Sequence, residues 1–584
     1  MKVALVHAAI SWKEKEKNIA KLLELNERAA ASGGQIIVNT ELATTGYAFE
    51  SRSEISPLAE TVPGPTTDAF GEIGEEYGCY ICIGLPEVDP ETGIFYNSAA
   101  LVGPKGDLLA RYRKALPAFR ENLWAARGNL PAPVVETEHG RLGMMICADS
   151  YSYKPARSAA LKGARIMLIP ANWPPSHYNP EKFWQARAAE NGIYILACNR
   201  TGMDKTLDCS LAESFIIDGD GEILGRIRSQ KDAILYGNLP SSMAKRGSLA
   251  NEILKRRRPE HYGEISLDPY SHINSTEMLF GLPEAGDLVV ATIQLAASSD
   301  KPANIRDMLS LVDEAVSVAE GKGLTLDLAV FPELSTGMIF DRQTAERVCE
   351  ETPGETTDIF TRKAEEKNLF VVVGMGEREG ERFYNSGILI GPQGVVGRYR
   401  KVHLTSDDEI WAQPGENGFS TFDLPFGRVG MLIGSDLLFP EGADCLAKRG
   451  ADIILVPALW SDQKSKFIWD ARLGEQMHLA IANQWGDSGR VCASGGSLLC
   501  SYSRYPEKKI RLESPAEGDF INIMRFETKD AREKRFLENV DYGILLNLEG
   551  RRFPRINGRD RWRPGCTVEN KVGADKMTKI VAPR

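Results

Sequence analysis

The chain has 584 residues, 43% hydrophobic, 26% charged and 8% aromatic, with a net charge of −10 and a pI near 5.5. Those proportions are globular and exclude disordered, collagen-like and fibrous classes. The acidic balance argues against a nucleic-acid partner. No run reaches 18 consecutive apolar residues, so no membrane span is expected. The opening MKVALVHAAISWKEKEKN has a short apolar part followed at once by charge. It reads as a core strand rather than a signal peptide, and the expected location is the cytoplasm. Most of the ten cysteines sit inside apolar runs, as Cys198 does in YILAC and Cys147 in GMMIC, the pattern of reduced, buried thiols.

In chain order, VALVHAAI predicts a strand. Residues 16–32 predict a helix with Ile19, Leu22, Leu23 and Leu25 on its apolar face. QIIVNT is a strand, and TTDAFGEIGEEYG a helix opened by Thr caps and closed by Gly78. YICIGL, AALVG, LGMMI and IMLIPA follow as strands. Continuous β-branched runs between helices predict α/β sheets covered by helices. The CxxC of Cys79 and Cys82 lies in such a strand, and its odd spacing puts the thiols on opposite faces, which disfavours a redox pair.

The sequence repeats itself. TGIFYNSAALVGPKGDLLARYRK (92–114) returns as GERFYNSGILIGPQGVVGRYRK (380–401), GRLGMMICAD (140–149) as GRVGMLIGSD (427–436), and KGARIMLIPANW (162–173) as RGADIILVPALW (449–460). TELATTG (40–46) matches PELSTG (332–337). A period this long means duplicated domains. The expected division is a first copy over 1–265, a Pro/Gly-rich linker over 266–287, a second copy over 288–545, and a basic tail over 546–584 that wraps an acidic surface.

Cys147 ends a strand and precedes a helix with Pro155 near its start and Gly163 near its end. A thiol facing a helix N-terminus is electrostatically favoured as thiolate. None of the seven histidines falls in a motif near it, so a base for its proton has to be a carboxylate. Glu41 and Lys114 also lie at strand ends of the same module. Each alone reads as a loop charge; together the three make a plausible site.

The order of Glu41 in TELATTGY, Lys114 in RYRK, Cys147 in GMMICAD and then WQARAAEN (184–191) resembles the nitrilase superfamily of carbon–nitrogen hydrolases, in both halves. The resemblance implies two tandem four-layer α-β-β-α sandwich domains. It implies Glu41 as general base, Lys114 as the group stabilising the tetrahedral intermediate, Cys147 as nucleophile and Glu121 as an additional glutamate near the substrate. No metal or organic cofactor is implied. Gly434 stands where Cys147 stands, while Glu333, Lys401 and Glu409 remain, so the second copy is expected to be a pseudo-domain. Family members pair, and here the pair is expected within one chain, with further homo-oligomers possible.

Cys147-Ala148-Asp149 resembles the amidase and carbamoylase branches more than nitrile-cleaving members, which favours a small amide or carbamoyl substrate. Tyr47, Phe49, Tyr151, Tyr153 and Trp173 are candidates for a stacking pocket. Two departures stand out: Asn39-Thr40-Glu41 replaces the family's Phe-Pro-Glu, and Tyr153-Lys154-Pro155 replaces the Phe-Pro-Glu after the nucleophile. The readings left open are an amidohydrolase, a nitrilase or acyl-transfer member, and a non-catalytic binding or scaffold protein.

Overall fold

The computed structural model describes residues 1–546, apart from 119, 176–179, 241–246, 268–279, 462–467, 469–470, 473–475, 489, 503–508, 533 and 535–539. Most of the expected linker and nearly all of the expected basic tail therefore lie outside the described residues. Among the described residues no helix is long and apolar enough to cross a membrane.

The first copy holds two six-stranded sheets. One runs in the order Ala233–Asn238, Lys2–His7, Ile36–Val38, Tyr80–Val88, Phe95–Val102, Leu108–Arg113. The other runs Ile223–Ile227, Ser214–Ile217, Tyr194–Cys198, Ile166–Pro170, Gly140–Met144, Val134–Thr137. The central strands of each are parallel. Period-two alternation divides their side chains. Val3, Leu5, Ile36, Val38 and Cys82 pack with Leu142, Met144, Ile166 and Leu168 of the other sheet. Ala4, Val6, Ile37 and Ile81 pack instead with Leu22, Leu25, Phe70 and Ile73 of the covering helices. The result is the α-β-β-α sandwich. Cys79 falls in the helix-side core and Cys82 in the inter-sheet core, on opposite faces as their spacing predicts.

The helix Lys15–Ala31 buries Leu22, Leu25, Asn26, Ala29 and Ala30. The helix Pro65–Tyr77 is opened by Gly64 rather than by a Thr cap. Thr67 Oγ1, one turn in, accepts the Gly64 N–H at 2.8 Å. Gly78 closes it at φ +64°.

The second copy repeats this plan. Its sheets run Gly394–Arg400, Arg382–Gly391, Phe370–Glu379, Leu328–Val330, Asp287–Gln294, Phe520–Glu527, and Thr421–Leu424, Gly427–Met431, Ile453–Ala458, His478–Asn483, Leu498–Cys500, Arg511–Glu513. The inter-sheet cores of both copies join in one continuous apolar cluster. Leu142 pairs with Ile166 and, 287 residues on, Val429 with Ile453. That register sets Ser152-Tyr153-Lys154 opposite Phe439-Pro440-Glu441, one residue earlier than the sequence comparison placed the replaced Phe-Pro-Glu.

Candidate active site

Glu41 sits just beyond the strand Ile36–Val38, fully buried. Its turn presses against the neighbouring strand so closely that a Cβ on Gly84 would lie 2.6 Å from the Thr40 carbonyl oxygen and 2.7 Å from Glu41 Cα. Only glycine fits there. Glu41 Oε1 accepts from Lys114 Nζ at 2.6 Å and from Asn97 Nδ2 at 2.7 Å. Oε2 accepts the Asn172 backbone N–H at 2.8 Å, and Asn172 Nδ2 donates to the Glu41 carbonyl at 2.8 Å. Lys114 Nζ also donates to Glu121 Oε1 at 2.5 Å. Glu121 Oε2 is buried, and the Tyr47 hydroxyl is hydrogen-bonded to the Glu121 carboxylate, which lowers the carboxyl's pKa and raises the phenol's. The Tyr47 ring lies 5.7 Å from Lys114 Nζ.

Cys147 follows the strand Gly140–Met144 and opens a 3-10 helix, Cys147–Tyr151, with φ +44°. A left-handed backbone at a non-glycine residue is strained and persists only where its surroundings impose it. Asp149 helps impose it. Its carboxylate accepts from the Ile146 and Leu116 backbone N–H groups and from Tyr112 Oη at 2.9 Å. Burial pushes Asp149 up to about 6.

Burial raises the Cys147 thiol well above its ordinary range; Glu41's charge adds to the rise and Lys114 opposes it. Burial and the Glu41 carboxylate thus favour the neutral thiol, against the thiolate expected from the helix N-terminus. Burial works against the Lys114 ammonium, but Glu121 and Glu41 outweigh it and hold Lys114 protonated. Burial pushes Glu121 up to about 7, against the pull of Lys114 and with the push of Glu41. The same three charged groups act on Cys147, so thiol, base, ammonium and second carboxylate share one buried site.

The aromatic candidates divide. Tyr47 borders the charged cluster. The Tyr151 and Trp173 rings lie 4.7 Å apart, tilted at 48°, and gather Phe183 at 4.9 and 6.2 Å. Phe49 packs instead with Trp12 and Trp124. Tyr153 turns to the second copy, where its hydroxyl donates to Asp444 Oδ2 at 3.2 Å.

Residues 2–246 and 289–502 both match the family described as carbon-nitrogen hydrolase. The chain belongs to the carbon–nitrogen hydrolase family. It is 33% identical over 265 residues to a nitrilase of Pyrococcus abyssi, covering 45% of this chain and 99% of that protein. A citrullinase of Francisella tularensis is 29% identical (45% and 98%), and the omega-amidase NIT2 of Homo sapiens 27% (41% and 88%). Among solved structures, an amidase from Nesterenkonia sp. matches at 23% identity with a TM-score of 0.38, covering 44% of this chain and 94% of its own. As a carbon–nitrogen hydrolase the chain is an enzyme of C–N bond hydrolysis.

This hydrolase carries the polar cluster twice and the thiol once. In the second copy Lys401 Nζ bridges Glu333 Oε1 and Asp408 Oδ2, both at 2.7 Å, and Asn385 Nδ2 reaches Glu333 Oε1 at 2.7 Å. The acid corresponding to Glu121 is thus Asp408, and the expectation of Glu409 is corrected. Glu409 points outward, with a side chain 55% exposed, and pairs with Arg256. Asp408 opens the 3-10 turn Asp408–Ile410 as Glu121 opens Glu121–Leu123, and only that first position faces the lysine. Asn97 and Asn172 were not singled out from the sequence. Asn97 carried a usable signal, because its FYNS segment recurs around Asn385. Asn172 carried the opposite one, because Leu459 replaces it in the second copy.

Proposed function

We propose that the chain is an amidohydrolase that cleaves a small amide or carbamoyl compound at the first copy. What carries this reading is the convergence of the neutral Cys147 thiol with Glu41 and the ammonium of Lys114. Glu41 takes the Sγ proton as Sγ attacks the carbonyl carbon. The developing oxyanion meets Lys114 Nζ and a backbone N–H near residue 148. Collapse breaks the C–N bond, the proton passes to the leaving nitrogen, and ammonia or amine departs from a thioester. A water gives its proton to a glutamate, attacks the thioester carbon, and restores the thiol. Two carboxylates, with Glu121 held near 7, let one donate while the other accepts.

The Cys147-Ala148-Asp149 sequence, similar to the amidase and carbamoylase branches, supports an amide over a nitrile. Tyr47, Tyr151 and Trp173 offer ring faces for the rest of the substrate.

The second copy supports this site from outside. Arg472 Nη2 reaches Glu190 Oε2 at 2.7 Å. Glu190 Oε1 pairs with Arg187, whose Nε donates to the Ser150 carbonyl at 3.0 Å, three residues past the nucleophile. In this reading the second copy takes the place of a partner subunit and braces the loop that carries Cys147.

The test is ammonia release by the full-length protein over a panel of amides, carbamoyl compounds and nitriles, with Cys147→Ala beside it. Release from amides or carbamoyl compounds that vanishes in the variant is the expected result. Release confined to nitriles would overturn the substrate class, and release unchanged in the variant would overturn the mechanism.

A further inference from the structure

The helices Lys154–Leu161 and Pro440–Lys448 occupy equivalent places in the two copies, each closed by a left-handed glycine, Gly163 and Gly450. Under the 287-residue register Lys154 corresponds to Glu441, and Arg157 to Asp444. Across the junction Lys154 Nζ lies 3.0 Å from Asp444 Oδ2, and Arg157 Nε 3.3 Å from Glu441 Oε1. All four side chains are at most 2% exposed. Position 154 of one copy thus meets the counterpart of 157 in the other, and the reverse. This is the reciprocal contact of a two-fold interface.

The surrounding pairs obey the same symmetry. Lys162 and Arg449 are equivalent. Lys162 Nζ pairs with Asp541 Oδ2 at 2.7 Å, from the C-terminal segment of the second copy. Arg449 Nε pairs with Glu264 Oε1 at 2.8 Å, from the C-terminal segment of the first. Each copy's end crosses to the other copy's helix.

A true two-fold interface places identical residues on both sides, and here they are opposite. The first copy brings two bases to the centre, and the second brings two acids. Two first copies pairing through this face would bury Lys154 against Arg157 twice. Two second copies would bury Glu441 against Asp444 twice. Buried like charges are strongly unfavourable. We infer that this charge exchange makes the face of the first copy complementary to the second copy and repulsive to itself. The face then accepts one copy of each kind, within the chain, and cannot recruit the first copy of another molecule. Arg257 adds to the asymmetry, with its Nε 2.7 Å from Glu441 Oε1 on the acidic side alone.

The test transplants each copy's own residue into the other, in the full-length chain. K154E reproduces the contact of two second copies, Glu against Asp444. D444R reproduces that of two first copies, Lys154 against Arg. Each is expected to lower the thermal midpoint by about 5 °C or more. K154E/D444R, which reverses the pair, is expected to recover more than half of the combined loss. If either single variant is too unstable to purify, Lys154→Met, Asp444→Asn and their combination give the same cycle with neutral side chains. There the double variant is expected to be more stable than the sum of the singles. Additive losses in either cycle, or a single charge variant as stable as the parent, would overturn the inference.

Discussion

The carboxylate of Glu333 fills the space that a side chain on Gly434 would need. A Cβ built there would overlap Glu333 Oε2 and lie 3.1 Å from Glu333 Cδ. In the first copy the equivalent carboxylate is turned aside: its Oε2 accepts the Asn172 N–H, and Cys147 keeps its place at nearly the same φ, +44° against +43°. The second site is therefore not a competent site lacking one atom. Its base carboxylate leans into the space that the nucleophile's side chain would take.

Restoring the thiol should not restore chemistry. Cys147→Ala/Gly434→Cys is expected to remain inactive in the ammonia assay. It should also lose about 1–3 kcal/mol in denaturant unfolding, because the new side chain overpacks against Glu333 at a strained φ. Turnover above the Cys147→Ala background would contradict this account of the second site.

Asn172 holds the Glu41 main chain through its side-chain amide. Asn172→Leu, which copies Leu459, leaves the Glu41 carbonyl without that donor. The expected cost is about 1–3 kcal/mol of stability, and roughly a tenfold or greater fall in kcat from a displaced base. Steady-state kinetics and thermal unfolding check both; unchanged kcat would show that Asn172 does not position Glu41.

Glu333 should make stability depend on pH. Burial pushes its carboxyl up from the ordinary 4.5 to about 7. The folded state then binds the proton more tightly than the unfolded chain. Its contribution is fully present below about pH 4.5 and is lost as pH rises through 7. Glu333→Gln removes this dependence. The parent should lose up to about 3 kcal/mol relative to the variant between those limits, read from urea unfolding across the range. Parallel curves would refute the assignment.

How far the sequence reveals this site depends on how each residue is held. Glu41, Lys114 and Cys147 all stand at strand ends, and strand ends are visible as breaks in periodicity. The repeat also exposes the loss at Gly434 directly. The choice between Asp408 and Glu409 is different. Two adjacent acids on a 3-10 turn carry no periodic signal, and only the turn's geometry decides which faces Lys401. Tyr153 and Lys154 were read as neighbours of the nucleophile because they follow it closely. They face Asp444 instead, a residue 290 or more positions away whose proximity no local pattern encodes. Sheets covered by helices were legible because strand alternation and helix spacing are local, and the four-layer stacking followed from the family resemblance; the docking of one copy on the other has no local signal.

Arg472 links the second copy to the nucleophile loop. Arg472→Met leaves Glu190 paired with Arg187 alone, and breaking a buried pair of this kind costs about 3–5 kcal/mol. Because Arg187 also holds the Ser150 carbonyl, kcat should fall roughly tenfold with KM little changed. Arg472→Lys should recover part of it. A loss of stability with no change in kcat would make Arg472 structural only.

The central claim is a single covalent centre at Cys147. Mass spectrometry of the full-length protein, quenched during turnover of a small amide and digested, tests it most directly. The account predicts one acyl adduct per chain, on the peptide containing Cys147, absent from Cys147→Ala. Sustained hydrolysis by Cys147→Ala, or an adduct located elsewhere, would contradict it.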